Sequence, residues 1–385
     1  MAKKEQPPKE ESASSSQSIL QGFLKDHQED HFADVKSKGL IISTGSLILD
    51  NLVKIRSGSV IRLVGKGAEL GKTSECFVLA ANYMDVMKRA KTLYVKAEAR
   101  LSEEMQKRSG HKFVVDAKDW VFGTTFIFPC NTFETVAQLI ETLLKEMHDR
   151  EEYLCIVIDS LDGLTLKSDL QKNIFAGENI KVAGVPLLTK LLFRRLALPI
   201  NYYDALLLIT GQYSAAIQLD PYAPNVPRQA ESSGGSAIAH QSDYVFSYNP
   251  RYSGDLILQN PSEKPDVVKN PILGVYATIE IKKSSTDVTG SKVKIPIKKK
   301  AIGNQIWRSK EVADMIIAWE LAKKSGAWIT FEDSIVKQAK DSELELEQKV
   351  NGINALYDYL EQNKEICEWF YNKFRAIYDT GDEKP

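Results

Sequence analysis

The stretch Val60-Ile61-Arg62-Leu63-Val64-Gly65-Lys66-Gly67-Ala68-Glu69-Leu70-Gly71-Lys72-Thr73-Ser74 decides the fold. An apolar run ends in a glycine-rich loop, and a helix-compatible stretch runs on from Glu75 to Arg89. A strand, a glycine-rich turn, Gly-Lys-Thr and then a helix is how a chain wraps backbone N–H groups around a triphosphate. In that reading Gly65, Gly67, Ala68, Glu69, Leu70, Gly71, Lys72, Thr73 and Ser74 form the cradle. Lys72 reaches the β- and γ-phosphates and the Thr73 hydroxyl ligates Mg²⁺. The usual spacing would put the first glycine at Lys66, which instead stands between two glycines. Counted from Gly65, the loop is one residue longer than the common form. The alternative is a glycine-rich strand-to-helix turn that carries Gly-Lys-Thr by chance.

Outward from this stretch, apolar runs alternate with helical patterns as far as Gln212. Strands are expected over 59–64, 92–95, 125–128, 153–158 and 205–210, and helices over 72–89, 132–149 and 184–198. Such alternation predicts an α/β core with a mostly parallel twisted sheet and helices on both faces. Later strand-like runs at 243–247, 275–282 and 292–297 have hairpin-like spacing. Residues 18–38 carry Ile19, Leu20, Phe23, Leu24 and Phe32 among many charges, the pattern of an amphipathic helix that docks on a neighbour. A C-terminal unit is expected over 309–378. Val312, Met315, Ile316 and Trp319 fall on one helical stripe, with Gly326 read as the stop, and Ile366, Phe370, Phe374 and Ile377 form another.

The 385-residue chain is 43% apolar and 26% charged, as in ordinary soluble domains, and its length suits more than one of them. No apolar run approaches bilayer-spanning length, so no membrane partner is expected. Residues 1–17 read as a disordered tail without a signal-peptide core, and 379–385 as a second tail. Cys76, Cys130, Cys155 and Cys367 lie far apart, which argues against a zinc module or a disulfide scaffold and favours a cytoplasmic location. A formal net charge of −1 is neutral on nucleic acid, because local patches matter more.

Candidate chemistry sits at predicted strand ends. Leu154-Cys155-Ile156-Val157-Ile158-Asp159-Ser160 is an apolar strand closed by a carboxylate, placed to order Mg²⁺ beside a triphosphate. Glu98 follows the strand Leu93-Tyr94-Val95 and would orient or deprotonate an attacking water. Gln212 ends the strand Leu206–Thr210 and would hydrogen-bond a terminal phosphate. It heads a long irregular segment, 213–233, that contains Tyr213, Ile217, Tyr222 and Arg228, groups suited to stacking on unpaired bases. A second candidate loop, Lys167 to Asn179, includes Lys172 and Asn173. The plain alternative for both loops is a flexible surface connection.

Taken in order, these motifs resemble the RecA recombinase family. Ile42-Ser43-Thr44-Gly45-Ser46-Leu47-Ile48-Leu49-Asp50 stands before the glycine-rich loop. Ala97-Glu98, Asp159-Ser160, Gln212 and Ser232-Ser233-Gly234-Gly235-Ser236-Ala237 follow it. Ser325-Gly326-Ala327-Trp328 and Asn354-Ala355-Leu356-Tyr357-Asp358-Tyr359-Leu360 resemble the bacterial C-terminal domain. The resemblance spans roughly 18–378, and Ala277 to Ile297 is also similar to the UvsX-type phage recombinases.

It implies a RecA-like ATPase core over 39–308 and a DNA-dependent ATPase that uses ATP and Mg²⁺. Such a protein polymerises as a helical filament on single-stranded DNA, pairs it with homologous duplex, and is assisted by single-strand-binding and loader proteins. By position the resemblance makes Lys72 and Thr73 the phosphate and Mg²⁺ contacts and Asp159 the metal-side acid. Glu98 becomes the catalytic carboxylate and Gln212 the γ-phosphate sensor. Met105 falls where the family places an aromatic ring against adenine. Lys282 and Lys283 match lysines that reach the γ-phosphate from a neighbouring subunit, with the second mapping to Lys283 or Ser284. DNA contacts fall on Lys167, Lys172, Asn173, Tyr213, Ile217, Tyr222, Arg228, Ser233, Gly234 and Gly235.

The chain departs from the family in its longer loop, in Met105 and in Ala239-His240, where a lysine and an aromatic residue are usual. These departures motivate a second reading, a RecA-like filament accessory protein with weak or no hydrolysis. The basic run Lys292, Lys294, Lys298, Lys299, Lys300 reads either as a duplex-holding patch or as a charged edge that blocks sheet aggregation.

Overall fold

The computed structural model describes residues 15–26, 37–65, 70–98, 101–172, 184–214, 231–232, 240–260 and 262–380. Its centre is an α/β unit around one large, mostly parallel mixed sheet. The strands are β1 (Val60–Gly65), β2 (Ala90–Lys96), β3 (Lys112–Val114), β4 (Thr124–Phe128), β5 (Tyr153–Asp159), β6 (Leu206–Ser214), β7 (Glu231–Ser232), β8 (Tyr244–Tyr248), β9 (Leu256–Leu258), β10 (Ile272–Lys283) and β11 (Lys292–Lys298). Their order is β11-β10-β8-β1-β6-β5-β2-β4-β3, with β7 paired to β6 and β9 to β10. From β8 to β3 every neighbour is parallel, while β10 and β11 are antiparallel.

The central strands are mostly apolar because both faces are covered, with Arg62 a buried exception in β1. Helix α3 (Lys72–Val86) packs Phe77, Leu79, Ala80 and Tyr83 on one face, with Ile61, Leu63, Val157 and Leu208 beneath. Helices α5 (Phe133–Asp149) and α7 (Gly184–Tyr202) cover the other with Val136, Ile140, Leu144, Phe193 and Leu196, over Val60, Ile156, Ile158 and Leu207. Alternate residues of one strand thus feed opposite cores, as the two-residue side-chain period requires.

The remaining helices are α1 (Ser15–Asp26), α2 (Leu47–Leu52), α4 (Glu103–Ser109), α6 (Lys167–Leu170), α8 (Arg308–Ala318), α9 (Asp333–Asp341), α10 (Ile353–Gln362) and α11 (Lys364–Thr380). Strands β12 (Ala322–Ser325), β13 (Trp328–Phe331) and β14 (Lys349–Val350) make a separate small sheet. Helices α8–α11 close over it in a third core of Val312, Ile316, Phe331, Leu356, Phe370 and Phe374, which also takes in Leu47 of α2.

Several expectations change. Residues 167–170, expected in a loop, form α6, and residues 379–380, expected in a tail, belong to α11. Gly326 does not stop a helix; α8 ends at Ala318, and Gly326 (φ +60°) is the turn residue between β12 and β13, where Ser325 pairs with Trp328. Residues 15–17, expected in a tail, belong to α1, while 27–36 of the expected helix lie outside the described residues. Residues 213–214, expected in an irregular loop, extend β6 and pair with β7. Ile19, Leu20 and Phe23 of α1 are exposed. Among the described residues no helix is long and apolar enough to cross a membrane.

Candidate functional site

Parallel strands end together, so the sheet's C-terminal edge collects whatever follows each strand. Gly65 stands beside Gln212 in register, and Lys96 beside Asp159. Gly65 is dictated by space, since a Cβ there would lie 2.8 Å from Leu70 Cδ1 and 2.9 Å from the Tyr248 carbonyl oxygen. Gly71 caps α3 with φ +98°, a conformation that favours glycine, and aims the helix's first N–H groups at this edge. A Cβ on Gly71 would stand 3.8 Å from the Arg251 guanidinium, so Arg251 borders the same helix end.

Asp159 is the hub. Its Oδ2 accepts from Thr73 Oγ1 (3.0 Å) and Tyr94 OH (2.7 Å), and its Oδ1 from Thr210 Oγ1 (2.6 Å). These hydroxyls come from α3, β2 and β6, the elements that flank β5. Burial, then Asp159, holds the Tyr94 phenol far above its ordinary pKa, so it stays a donor. The Asp159 carbonyl oxygen accepts the Ala97 and Glu98 N–H groups at 3.1 and 3.3 Å, and Ser160 Oγ donates to Glu98 Oε1. Burial pushes the Lys72 ammonium down in pKa, opposed by Asp159, Asp162 and Glu98. One half-buried amine thus faces three carboxylates, a negative pocket suited to cations.

A hydroxyl and a carboxylate oxygen 3.0 Å apart are hard donors of the kind Mg²⁺ takes together with phosphate oxygens. Among the described residues no group of three or more His, Cys, Asp or Glu forms an all-protein metal site. The donors therefore fit a Mg²⁺ held jointly with a phosphate, with Thr73 and Asp159 as the protein side. Met105 on α4 lines a narrow crevice with Ser74 and Phe77 of α3, and with Arg108, Ser109, Gly303 and Gln305.

Lys282 and Lys283 lie elsewhere. Strand β10 runs antiparallel to β8, so its end is level with the start of the parallel strands, at the opposite edge from Gly65. Lys282 pairs with Glu280 at 2.7 Å, and Lys283 donates to the His240 carbonyl at 2.6 Å. Tyr213 lies on β6 with its OH on Ser247 Oγ at 3.1 Å. Lys167 starts α6 and donates its N–H to Glu134 Oε2, and Lys172 is paired with Asp169 at 2.6 Å. Gly67, Ala68, Glu69, Asn173, Ile217, Tyr222, Arg228, Ser233, Gly234 and Gly235 lie outside the described residues. In the basic run, Lys292 meets Glu280, Lys294 meets Asp255 and Lys298 meets Glu361.

The sequence did not single out Tyr94, Thr210, Asp162 or Arg251. Tyr94 and Thr210 read as strand fillers, and only the pairing β2-β5-β6 turns them toward Asp159. No known protein-family model matches this chain.

Proposed function

We propose that this protein is an ATP-dependent DNA strand-exchange recombinase of the RecA kind, a DNA-dependent ATPase that assembles as a filament on single-stranded DNA. The observation that carries the reading is the hub at Asp159, which joins the Gly-Lys-Thr helix, the Glu98 segment and β6 at one sheet edge. Lys72 would hold the β- and γ-phosphates, and Thr73 with Asp159 would hold Mg²⁺. Mg²⁺ there neutralises charge on the transferring phosphoryl group. Glu98, oriented by Ser160, would take the proton of the attacking water. Gln212 stands at the same edge to meet the terminal phosphate. Lys282 and Lys283 at the far edge suit supply in trans between copies stacked head to tail, where they would offset charge on that phosphate.

DNA-stimulated ATP hydrolysis by the wild type, lost in Lys72→Ala and Glu98→Ala, tests the reading, and unchanged turnover in both variants ends it. Electron microscopy with single-stranded DNA and a slowly hydrolysed ATP analogue separates a helical filament from a closed ring. The hold of the His240 carbonyl on Lys283 favours the second reading, a filament accessory protein with weak hydrolysis. That reading predicts single-strand binding that persists without nucleotide.

A further inference from the structure

The short turn after β5 touches both functional sides of the site. Leu161–Gly163 forms one 3-10 turn between Asp159-Ser160 and the segment leading to α6. On one side Gly163 is pressed against the Glu98 segment. A Cβ there would meet the Ala97 carbonyl carbon and oxygen at 2.9 Å and Glu98 Cγ at 3.0 Å. Real Cβ atoms do not approach backbone so closely, so this glycine is needed for contact rather than for its torsion angles. On the other side Asp162 Oδ2 accepts the backbone N–H of Gln212 at 2.9 Å. Asp162 is itself exposed, and no packing requirement explains its carboxylate.

The charge of the same carboxylate acts on two cations. It opposes the burial that lowers the pKa of Lys72, and it is the foremost charge opposing that of Arg62, which is 1% exposed in the middle of β1. Tyr213, next after Gln212, acts on Arg62 as well.

We infer that the Leu161–Gly163 turn is a rigid spacer that sets the distance between the Glu98 carboxylate and Gln212, with Asp162 as the positioning residue on the Gln212 side. The inference rests on the ATPase reading for its kinetic consequence but not for its structural one. Asp162 touches neither substrate nor reacting atoms in this scheme. It acts by fixing the backbone of Gln212 while Gly163 and Ser160 fix Glu98. Displacing a catalytic group by about 1 Å costs about 100-fold in rate, so a slack spacer shows in kcat and leaves ground-state phosphate binding intact.

The experiment compares wild type with Asp162→Ala, Asp162→Asn and Gly163→Ala in steady-state ATP hydrolysis with single-stranded DNA, together with backbone amide exchange at residues 97, 98 and 212. Asp162 is exposed, so its variants retain the fold. Asp162→Ala is expected to lower kcat about tenfold or more with KM for ATP within about twofold. Asp162→Asn should recover most of that loss, because its amide oxygen still accepts the Gln212 N–H. Gly163→Ala should lower kcat and speed exchange at Gln212 as well as at Glu98. Wild-type kcat in Asp162→Ala, or a rise in KM at constant kcat, overturns the spacer. Should wild type itself hydrolyse no ATP, the ATPase reading falls and the exchange arm decides the spacer alone. Faster exchange at Gln212 in Gly163→Ala then upholds it, and a change confined to residues 97 and 98 sinks it.

Discussion

Two groups of acidic residues flank the start of α3 and are built in opposite ways. At the sheet edge, Asp159 accepts three hydroxyls from three different elements. Behind the helix, Asp50, Glu75 and Glu311 are buried where α2 and α3 meet α8 and α11. Asp50 is well served, by Ser43, by Thr44 and by Arg375 at 2.5 Å. Glu311 Oε1 accepts from Ser46 and from the Ile48 N–H, while among the described residues its Oε2 and Glu75 Oε1 have no hydrogen-bond partner. Burial lifts Glu75 to about 8 and Glu311 to about 7. The difference teaches that a carboxylate's surroundings, not its identity, decide its work. Asp159 is set among hydroxyl donors, and the second group is held where the neutral form is favoured, at the seam with the C-terminal helices.

Replacing Asp159 by Asn should have the largest effect. The hydroxyl network keeps an acceptor but loses the charge proposed to face Mg²⁺, and on the ATPase proposal Mg²⁺-dependent turnover should fall by about 100-fold or more. A turnover within a few-fold of wild type would place the two acidic groups on the same footing. Arg375→Leu attacks the other group and leaves buried Asp50 without its cation. Denaturant unfolding should show a loss of about 2–3 kcal/mol, below the loss at a fully buried pair because Arg375 is 25% exposed.

Glu311→Gln sharpens the comparison through pH. A carboxyl raised from 4.5 to about 7 on folding contributes stability that is full below pH 4.5 and lost as pH rises through about 7. Gln keeps the acceptor and cannot ionise. Its melting temperature should match wild type near pH 4.5 and exceed it by at least about 3 °C at pH 9, read by differential scanning fluorimetry. Equal melting temperatures at both values would contradict a neutral Glu311. The smallest effect belongs to the basic run. Lys294 is 62% exposed beside Asp255, so Lys294→Ala should change stability by less than about 1 kcal/mol in the same unfolding assay.

The strands near Gly65, Asp159 and Gln212 were legible because a strand buried on both faces reads as a largely apolar run, interrupted here by Arg62 in β1 and Thr210 in β6, and each run ends at a candidate residue. Gly326 misled because a glycine after an apolar stripe signals a helix stop and a hairpin turn alike. The strand Ala322–Ser325 that decides between them is polar and pairs with the chain beyond. Tyr94 and Thr210 gave no signal, since a hydroxyl in a strand acquires its meaning from the neighbour across the sheet. Asp162 reaches a backbone N–H far along the chain, a contact without any sequence pattern.

By itself the sequence determined the α/β alternation, the glycine-rich turn into α3 and the residues that end each strand, because backbone torsion and side-chain periodicity are local. Tertiary structure alone decided that β2, β5 and β6 lie side by side and that Gly163 leans on Glu98. It alone buried Glu75 and Glu311 against the C-terminal helices. Hydrogen-bond distance and burial depend on elements brought together from distant parts of the chain, and no local pattern encodes them.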